Sequence, residues 1–215
     1  MGKSTKILRL GDPLLARICQ PVLRTELHSD TFVSQVAALK QTLTEFRLLN
    51  GFGRAIAMPQ IGVPKRVVAL DLRHLNPDLN PDLNPDLNKS KASLKRDLDW
   101  SVAKGPIALV NPEITWRSVE SFKMFDDCLC FPDLLVRVRR CDSVSVRWMD
   151  ENTGEWRVVE KLPRDEAELI QHELDHLDGV LAVDLAEDKE MDIITRREFE
   201  EKKAELLKTV DYHIA

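Results

Sequence analysis

Between residues 32 and 49, Phe32, Val33, Val36, Leu39, Leu43, Phe46 and Leu49 recur at helical spacing. Ser29 and Asp30 stand before them and Asn50-Gly51 after, so a capped amphipathic helix with a glycine stop is predicted. The turn-rich Gly51-Phe52-Gly53-Arg54 follows, then a short apolar stretch at 55–58, then Pro59-Gln60-Ile61-Gly62. A strand is expected over 67–72. Beyond residue 106 the period shortens to that of strands, at 107–110, 119–125, 134–138, 144–149 and 156–162, the last two joined by a turn at Asn152-Thr153-Gly154. Asp165, with Glu168 three residues on, reads as a capping box opening a helix through Leu169, Ile170, Leu174 and Leu177 to Gly179. A charged helix over about 192–207 is expected toward the end of the chain. The class is α+β: antiparallel or mixed sheets around the 165–179 helix, with one helix toward each end.

Residues 75–86 are three copies of Leu-Asn-Pro-Asp. Proline in every copy prevents regular ladder or helix hydrogen bonding, so the stretch 73–104 is expected to be a surface insertion without a catalytic role. The 215 residues, 43% of them apolar, suit one domain with one substantial core. A net charge of −5, from 36 acidic and 31 basic residues mixed along the chain, argues against sequence-specific nucleic-acid binding. No apolar stretch is long enough to span a membrane. Gly11, Asp12 and Pro13 interrupt the start, so secretion is not expected. A cytoplasmic location is the expectation, with organellar import left open by the basic amino end. Four cysteines in a chain of this length read as thiols, free or metal-bound.

His172-Glu173-Leu174-Asp175-His176 places two imidazoles one helical turn apart, where both can reach one ion. An arbitrary pair at this spacing is ordinarily a surface or core feature. The interposed Glu173, placed to accept a proton from a water that a metal polarises, turns the reading toward a catalytic centre. Such a centre needs a third protein ligand. A histidine three residues after Gly179 is excluded, because position 182 is Ala182. Glu198 and Glu200 remain open as ligands, but Cys128, set among strands in Phe125-Asp126-Asp127-Cys128-Leu129-Cys130-Phe131, is the better candidate.

Three motifs, in order, resemble the peptide deformylase family: Gly53-Arg54-Ala55-Ile56-Ala57-Met58-Pro59-Gln60-Ile61-Gly62, Asp126-Asp127-Cys128-Leu129-Cys130, and Gln171-His172-Glu173-Leu174-Asp175-His176-Leu177-Asp178-Gly179. The resemblance implies that Cys128, His172 and His176 bind the metal and that Glu173 is the general acid and base. It further implies that Gln60 and the Leu129 N–H donate to the developing oxyanion. One divalent ion per chain is implied, ferrous iron, with zinc, nickel or cobalt as substitutes. The implied partners are N-formyl-methionyl peptides met at the ribosome exit, with the protein a monomer or homodimer. Gly53, Arg54, Ala55, Ile56, Asp127 and Glu168 fall where the family binds substrate.

The chain departs from the family's pattern at Ala55, where glycine is expected, and at Met58, where alanine is. It departs again at Asp126-Asp127-Cys128-Leu129-Cys130, where the family has Glu-Gly-Cys-Leu-Ser. Glu168 stands one turn before His172, at a position usually apolar and part of the methionine pocket. It either serves the capping box or faces the pocket, where Arg54 could pair with it or with Asp127. Cys130 is expected to be a packed residue, while Cys19 and Cys141 carry no motif and are expected to be core or surface thiols. These departures leave a second reading open, a hydrolase on the same centre with altered N-acyl specificity or low activity.

Overall fold

The computed structural model describes residues 5–72 and 105–213. Ser29 opens α1 (Asp30–Asn50), its Oγ accepting from the Phe32 N–H at 3.2 Å, and Gly51 closes it at a φ of 76°. Strands β1 (Ala55–Ala57) and β2 (Val67–Leu70) flank a 3₁₀ turn, Met58–Ile61. Then come β3 (Ile107–Arg117), β4 (Ser121–Asp126), β5 (Leu134–Cys141), β6 (Val144–Asp150) and β7 (Trp156–Val159). Helix α2 (Arg164–Leu177), the short α3 (Lys189–Asp192), β8 (Ile193–Thr195) and α4 (Arg196–Leu206) complete the order. Two antiparallel sheets result, β1-β2-β3-β6-β7 and β4-β5-β8. Among the described residues no helix is long and apolar enough to cross a membrane.

Alternation within β2 shows how the larger sheet is covered on both faces. Val67 and Ala69 pack with Phe32, Val36, Leu39 and Leu43 of α1, while Val68 and Leu70 pack with Ala167, Ile170 and Leu174 of α2. Burying each large aliphatic side chain contributes about 1.5–3 kcal/mol, so the two helices are held chiefly by these faces. The smaller sheet turns Phe122, Met124, Val136 and Val138 inward, and Phe125, Leu135 and Ile194 pack outward against Phe199 and Leu206 of the α4 segment. Helix α2 thus lies with the large sheet on one side and β5 near its other, and the end of β4 points at it.

Three expectations are corrected. Strand β3, expected only over 107–110, continues through Asn111-Pro112 to Arg117. A register shift between Val110 and Glu113 absorbs the proline, with Asn111 at a φ of 50°. Its side-chain amide compensates by accepting from the Val22 N–H and donating to the Val22 carbonyl, both at 2.8 Å. The final helix does not begin near 192: Ile193 and Ile194 are β-branched, and the stretch pairs with β5 as β8 before Thr195 caps α4. The capping box at Asp165 and Glu168 is absent, because the N-cap of α2 is Pro163, two residues before Asp165, and has no side-chain cap.

The Leu-Asn-Pro-Asp repeats lie outside the described residues. Leu70 and Ile107 are direct partners in the β2–β3 ladder, so a connection between them needs to cross only the width of a hairpin. Replacing residues 73–104 with a short Asn-Gly turn is therefore expected to keep cooperative thermal unfolding and change stability by no more than about 2 kcal/mol. Loss of the transition in differential scanning calorimetry would show that this segment packs on the core.

Candidate metal centre

The last turn of α2 is fixed by a close backbone crossing. Gly179, at a φ of 74°, would put any Cβ 2.7 Å from the Ala16 carbonyl oxygen, and the Cys19 N–H donates to the Leu177 carbonyl at 2.8 Å. This crossing anchors the helix end that carries His176. His172 and His176 share one face with ring centroids 4.9 Å apart, and Cys128, just after β4, meets them there. One ligand atom from each of Cys128, His172 and His176 lies within 4.8 Å of the others, all three residues being buried. Cys128 Sγ is 3.2 Å from His176 Nε2. Donors around a tetrahedral ion sit about 3.5 Å apart, so the trio can close on a single cation.

The tautomer of His172 is set by Asp126. Arg140 Nη2 donates to Asp126 Oδ2 at 2.7 Å, and His172 Nδ1 lies 3.0 Å from the same oxygen. A carboxylate held by a guanidinium accepts, so Nδ1 keeps its proton and Nε2 is the nitrogen that offers a lone pair once the ring is neutral. Arg140 also donates to Asp175, one residue before His176. Burial alone would raise the Asp126 pKa, but His172 and Arg140 outweigh it and hold the carboxyl well below its usual range. Burial likewise opposes charge on His172, yet Asp126 lifts that ring to about 9. His176 has no such carboxylate, and burial pushes it well below the usual imidazole range. Burial, with Cys130 adding to it, also holds the Cys128 thiol well above its usual range.

A divalent cation would reverse that thiol's preference, since a coordinating sulfur loses its proton. Two buried atoms bear on whether such an ion fits. His176 Nδ1 and Glu173 Oε2 have no hydrogen-bond partner among the described residues. A carboxylate oxygen without a donor is costly in an apolar interior and is accounted for if a polar group is bound beside it. Burial, opposed by His172, raises Glu173 to about 8.

Gln60, 1% exposed, faces the centre from the 3₁₀ turn. Its Oε1 accepts from the Ala57 N–H at 2.7 Å, so the atom turned inward is the amide nitrogen, 3.7 Å from Cys128 Sγ and 3.4 Å from Cys130 Sγ. The Cys130 N–H points at Cys128 Sγ from 3.4 Å, and the Cys130 side chain packs in the core of the smaller sheet. Leu129, between the two thiols, is buried, and its carbonyl accepts from Arg9 Nη1 at 3.2 Å.

Arg54 Nη2 donates to Glu168 Oε1 at 2.5 Å and Nη1 donates to the Asp165 carbonyl at 3.1 Å, so Glu168 faces inward rather than capping its helix. Burial pushes Glu168 up to about 7, against the pull of Arg54. Asp127 is paired instead with Arg196 of α4, at 3.1 Å. Gly53, at a φ of 118°, shapes the turn into β1, which is an edge strand. Ala55 packs toward α2 and Ile56 under α1, which leaves their main chains to form the edge. Glu198 and Glu200 lie on α4, pair with Lys202 and Lys203, and stand apart from the buried trio.

Sequence reasoning passed over Asp126 as a partner of the site, and with it Arg140 and Asp175. One signal was present: Asp126 precedes Cys128 by two residues, the spacing that keeps side chains on one face of a strand. Asp126→Asn is expected to lower metal affinity by about 10–100-fold, because His172 loses the charged carboxylate that fixes its tautomer and raises its basicity. Competition with a chelator measures this, and unchanged affinity would mean that packing alone holds the ring.

A profile of the polypeptide deformylase family matches residues 4–192. The chain is 30% identical over 176 residues to a peptide deformylase of Thermotoga neapolitana, covering 81% of this chain and 82% of that one. It is 30% identical over 189 residues to one from Treponema pallidum, covering 87% and 91%. Among solved structures, a Met-Ala-Ser-bound class I type b peptide deformylase from Acinetobacter baumannii superposes with a TM-score of 0.64 at 27% identity, over 86% of this chain and 99% of that one. With the ordered motifs, the two sheets around α2 and the buried cysteine and histidines, these likenesses make the chain a member of the polypeptide deformylase family.

Proposed function

We propose that this chain is a metal-dependent amide hydrolase that removes the N-formyl group from the initiator methionine of new polypeptides, releasing formate and a free amine. The observation that carries the reading is the convergence of Cys128, His172 and His176 beside the unpartnered Glu173 carboxylate oxygen. These three side chains would hold the ion. One thiolate and two imidazoles suit first-row divalent metals, and we assign ferrous iron, replaceable by zinc, nickel or cobalt. When bound, the ion supplies Lewis acidity, which activates water and polarises the formyl carbonyl.

The remaining work falls to the chain's own groups. Glu173 takes a proton from the water whose oxygen attacks the formyl carbon, and returns it to nitrogen as the C–N bond breaks. Burial raises this carboxyl above its usual range, which favours its keeping the transferred proton until the leaving nitrogen takes it. Gln60, with its NH₂ turned inward by Ala57, and the Leu129 N–H donate to the oxygen that gains charge. The edge of β1 offers main-chain groups with which an extended peptide can pair.

Glu173→Ala is expected to lower formate release from formyl-Met-Ala-Ser by about 10²–10⁴-fold while metal content stays at the wild-type level. Loss of the ion in that variant would make Glu173 a ligand and contradict its assignment. Gln60→Leu is expected to lower kcat by about 10²–10³-fold with little change in KM, the pattern of a donor used only when negative charge develops. A rise in KM alone would assign Gln60 to ground-state binding.

A further inference from the structure

The segment ahead of Gly11 has no task in the reaction proposed above, yet three consecutive residues of it grip the two turns that carry the chemistry. The Leu8 N–H donates to the Gln60 carbonyl at 2.8 Å, and the Leu10 N–H donates to the Cys130 carbonyl at 3.1 Å. Between them, Arg9 Nη1 donates to the Leu129 carbonyl at 3.2 Å. Residues 8–10 therefore tie the turn of Gln60 to the turn that follows β4. Arg9 is the one side chain in the three contacts.

The carbonyl that Arg9 holds occupies a particular place. The turn after β4 closes with the Phe131 N–H donating to the Cys128 carbonyl at 3.1 Å, so its central peptide group joins Leu129 to Cys130. The oxygen of that group accepts from Arg9, and its N–H is directed at Cys128 Sγ from 3.4 Å. In a trans peptide these two atoms point in opposite directions, and hydrogen bonds in series polarise one another. Arg9 itself is exposed, where water screens its direct pull on the sulfur. Leu129 and Cys130 are buried, so its influence reaches inward through the peptide group that joins them.

Resting on the assignment of Cys128 as a metal ligand, we propose that Arg9 is a positioning residue for the metal centre. Through the Leu129–Cys130 peptide it aims and strengthens the N–H that Cys130 donates to the Cys128 sulfur, and so limits the charge that the thiolate gives the metal. Hydrogen bonds around a ligating sulfur withdraw charge from it and tune the ion it holds. A thiolate that gives less charge leaves the ion a stronger Lewis acid, the property on which activation of water depends. The Gln60 amide, 3.7 Å from the same sulfur, is called away by the developing oxyanion. The Cys130 N–H is the donor that stays on the sulfur throughout.

The test compares Arg9→Met with Arg9→Lys and with Lys6→Met, which removes a positive charge from the same segment. In cobalt-loaded protein, Arg9→Met is expected to move the thiolate-to-metal charge-transfer band to longer wavelength. In zinc-loaded protein it is expected to move the Cys130 amide proton resonance upfield, with metal content unchanged in both. Arg9→Lys, which keeps a charged donor for the carbonyl, should recover part of both shifts, and Lys6→Met should show neither. With formyl-Met-Ala-Ser, Arg9→Met is expected to lower kcat by about tenfold with little change in KM. If Arg9→Met does not fold, Arg9→Gln replaces it, with the same shifts expected in smaller size. A band and a resonance that keep their wild-type positions overturn the proposal, as do equal shifts in Lys6→Met or an unchanged kcat beside full shifts. A wild type without the band would overturn Cys128 as a ligand, while the amide shift still reports whether Arg9 acts through the peptide.

Discussion

Three elements meet on the carboxylate of Asp126. It ends β4, takes Arg140 from β5 at 2.7 Å, and receives His172 of α2 at 3.0 Å, while Arg140 goes on to Asp175 on the same helix. Arg140 and Asp126 are about 4% and 5% exposed at their side chains, so neither charge can fall back on water. Removing one partner from such a pair costs about 3–5 kcal/mol, which makes the junction a constraint on how the smaller sheet docks against α2. The same docking brings Cys128, two residues past Asp126, to the histidines. Structural and chemical demands therefore fall on one contact.

Around that junction the packing has a simple logic. Strands β1 and β2 of the large sheet are buried on both faces, by α1 and by α2, and this leaves the main-chain edge of β1 for a substrate to approach. The site lies where α2, the turn carrying Gln60 and the residues just after β4 come together. Gln60 is fixed by the backbone of Ala57, and Gly179 lets the Ala16 backbone cross the end of α2 at close range. Gln60 and the end of α2 are thus held by main-chain geometry, and His172 by the side chain of Asp126, a form of preorganisation.

Local periodicity accounts for what could be read from the chain. Helix α1 and its caps, most strands and the His172-Glu173-His176 spacing depend on residues within a few positions of one another, and all appear where the pattern puts them. Non-local choices could not be read that way. Glu168 satisfies a capping rule in sequence, but Arg54, 114 positions away, offers a buried partner that draws it inward. That β3 runs on through Asn111-Pro112 rests on Val22, which receives the asparagine amide. Ile193 and Ile194 look like the start of a charged helix until β5 presents its free edge. Arg140 occupies a core position on β5 that only Asp126 and Asp175 make tolerable.

The central claim is that Cys128, and not its neighbour Cys130, joins His172 and His176 on the metal. Both thiols are buried and both lie near the Gln60 amide, so sulfur ligation alone would not separate them. Cobalt substitution does, because a thiolate bound to cobalt gives a charge-transfer absorption that imidazole and water ligands lack. Wild type and Cys130→Ala are predicted to show that band at one equivalent of cobalt, and Cys128→Ala to lose it. A band that survives in Cys128→Ala and disappears in Cys130→Ala would contradict the account.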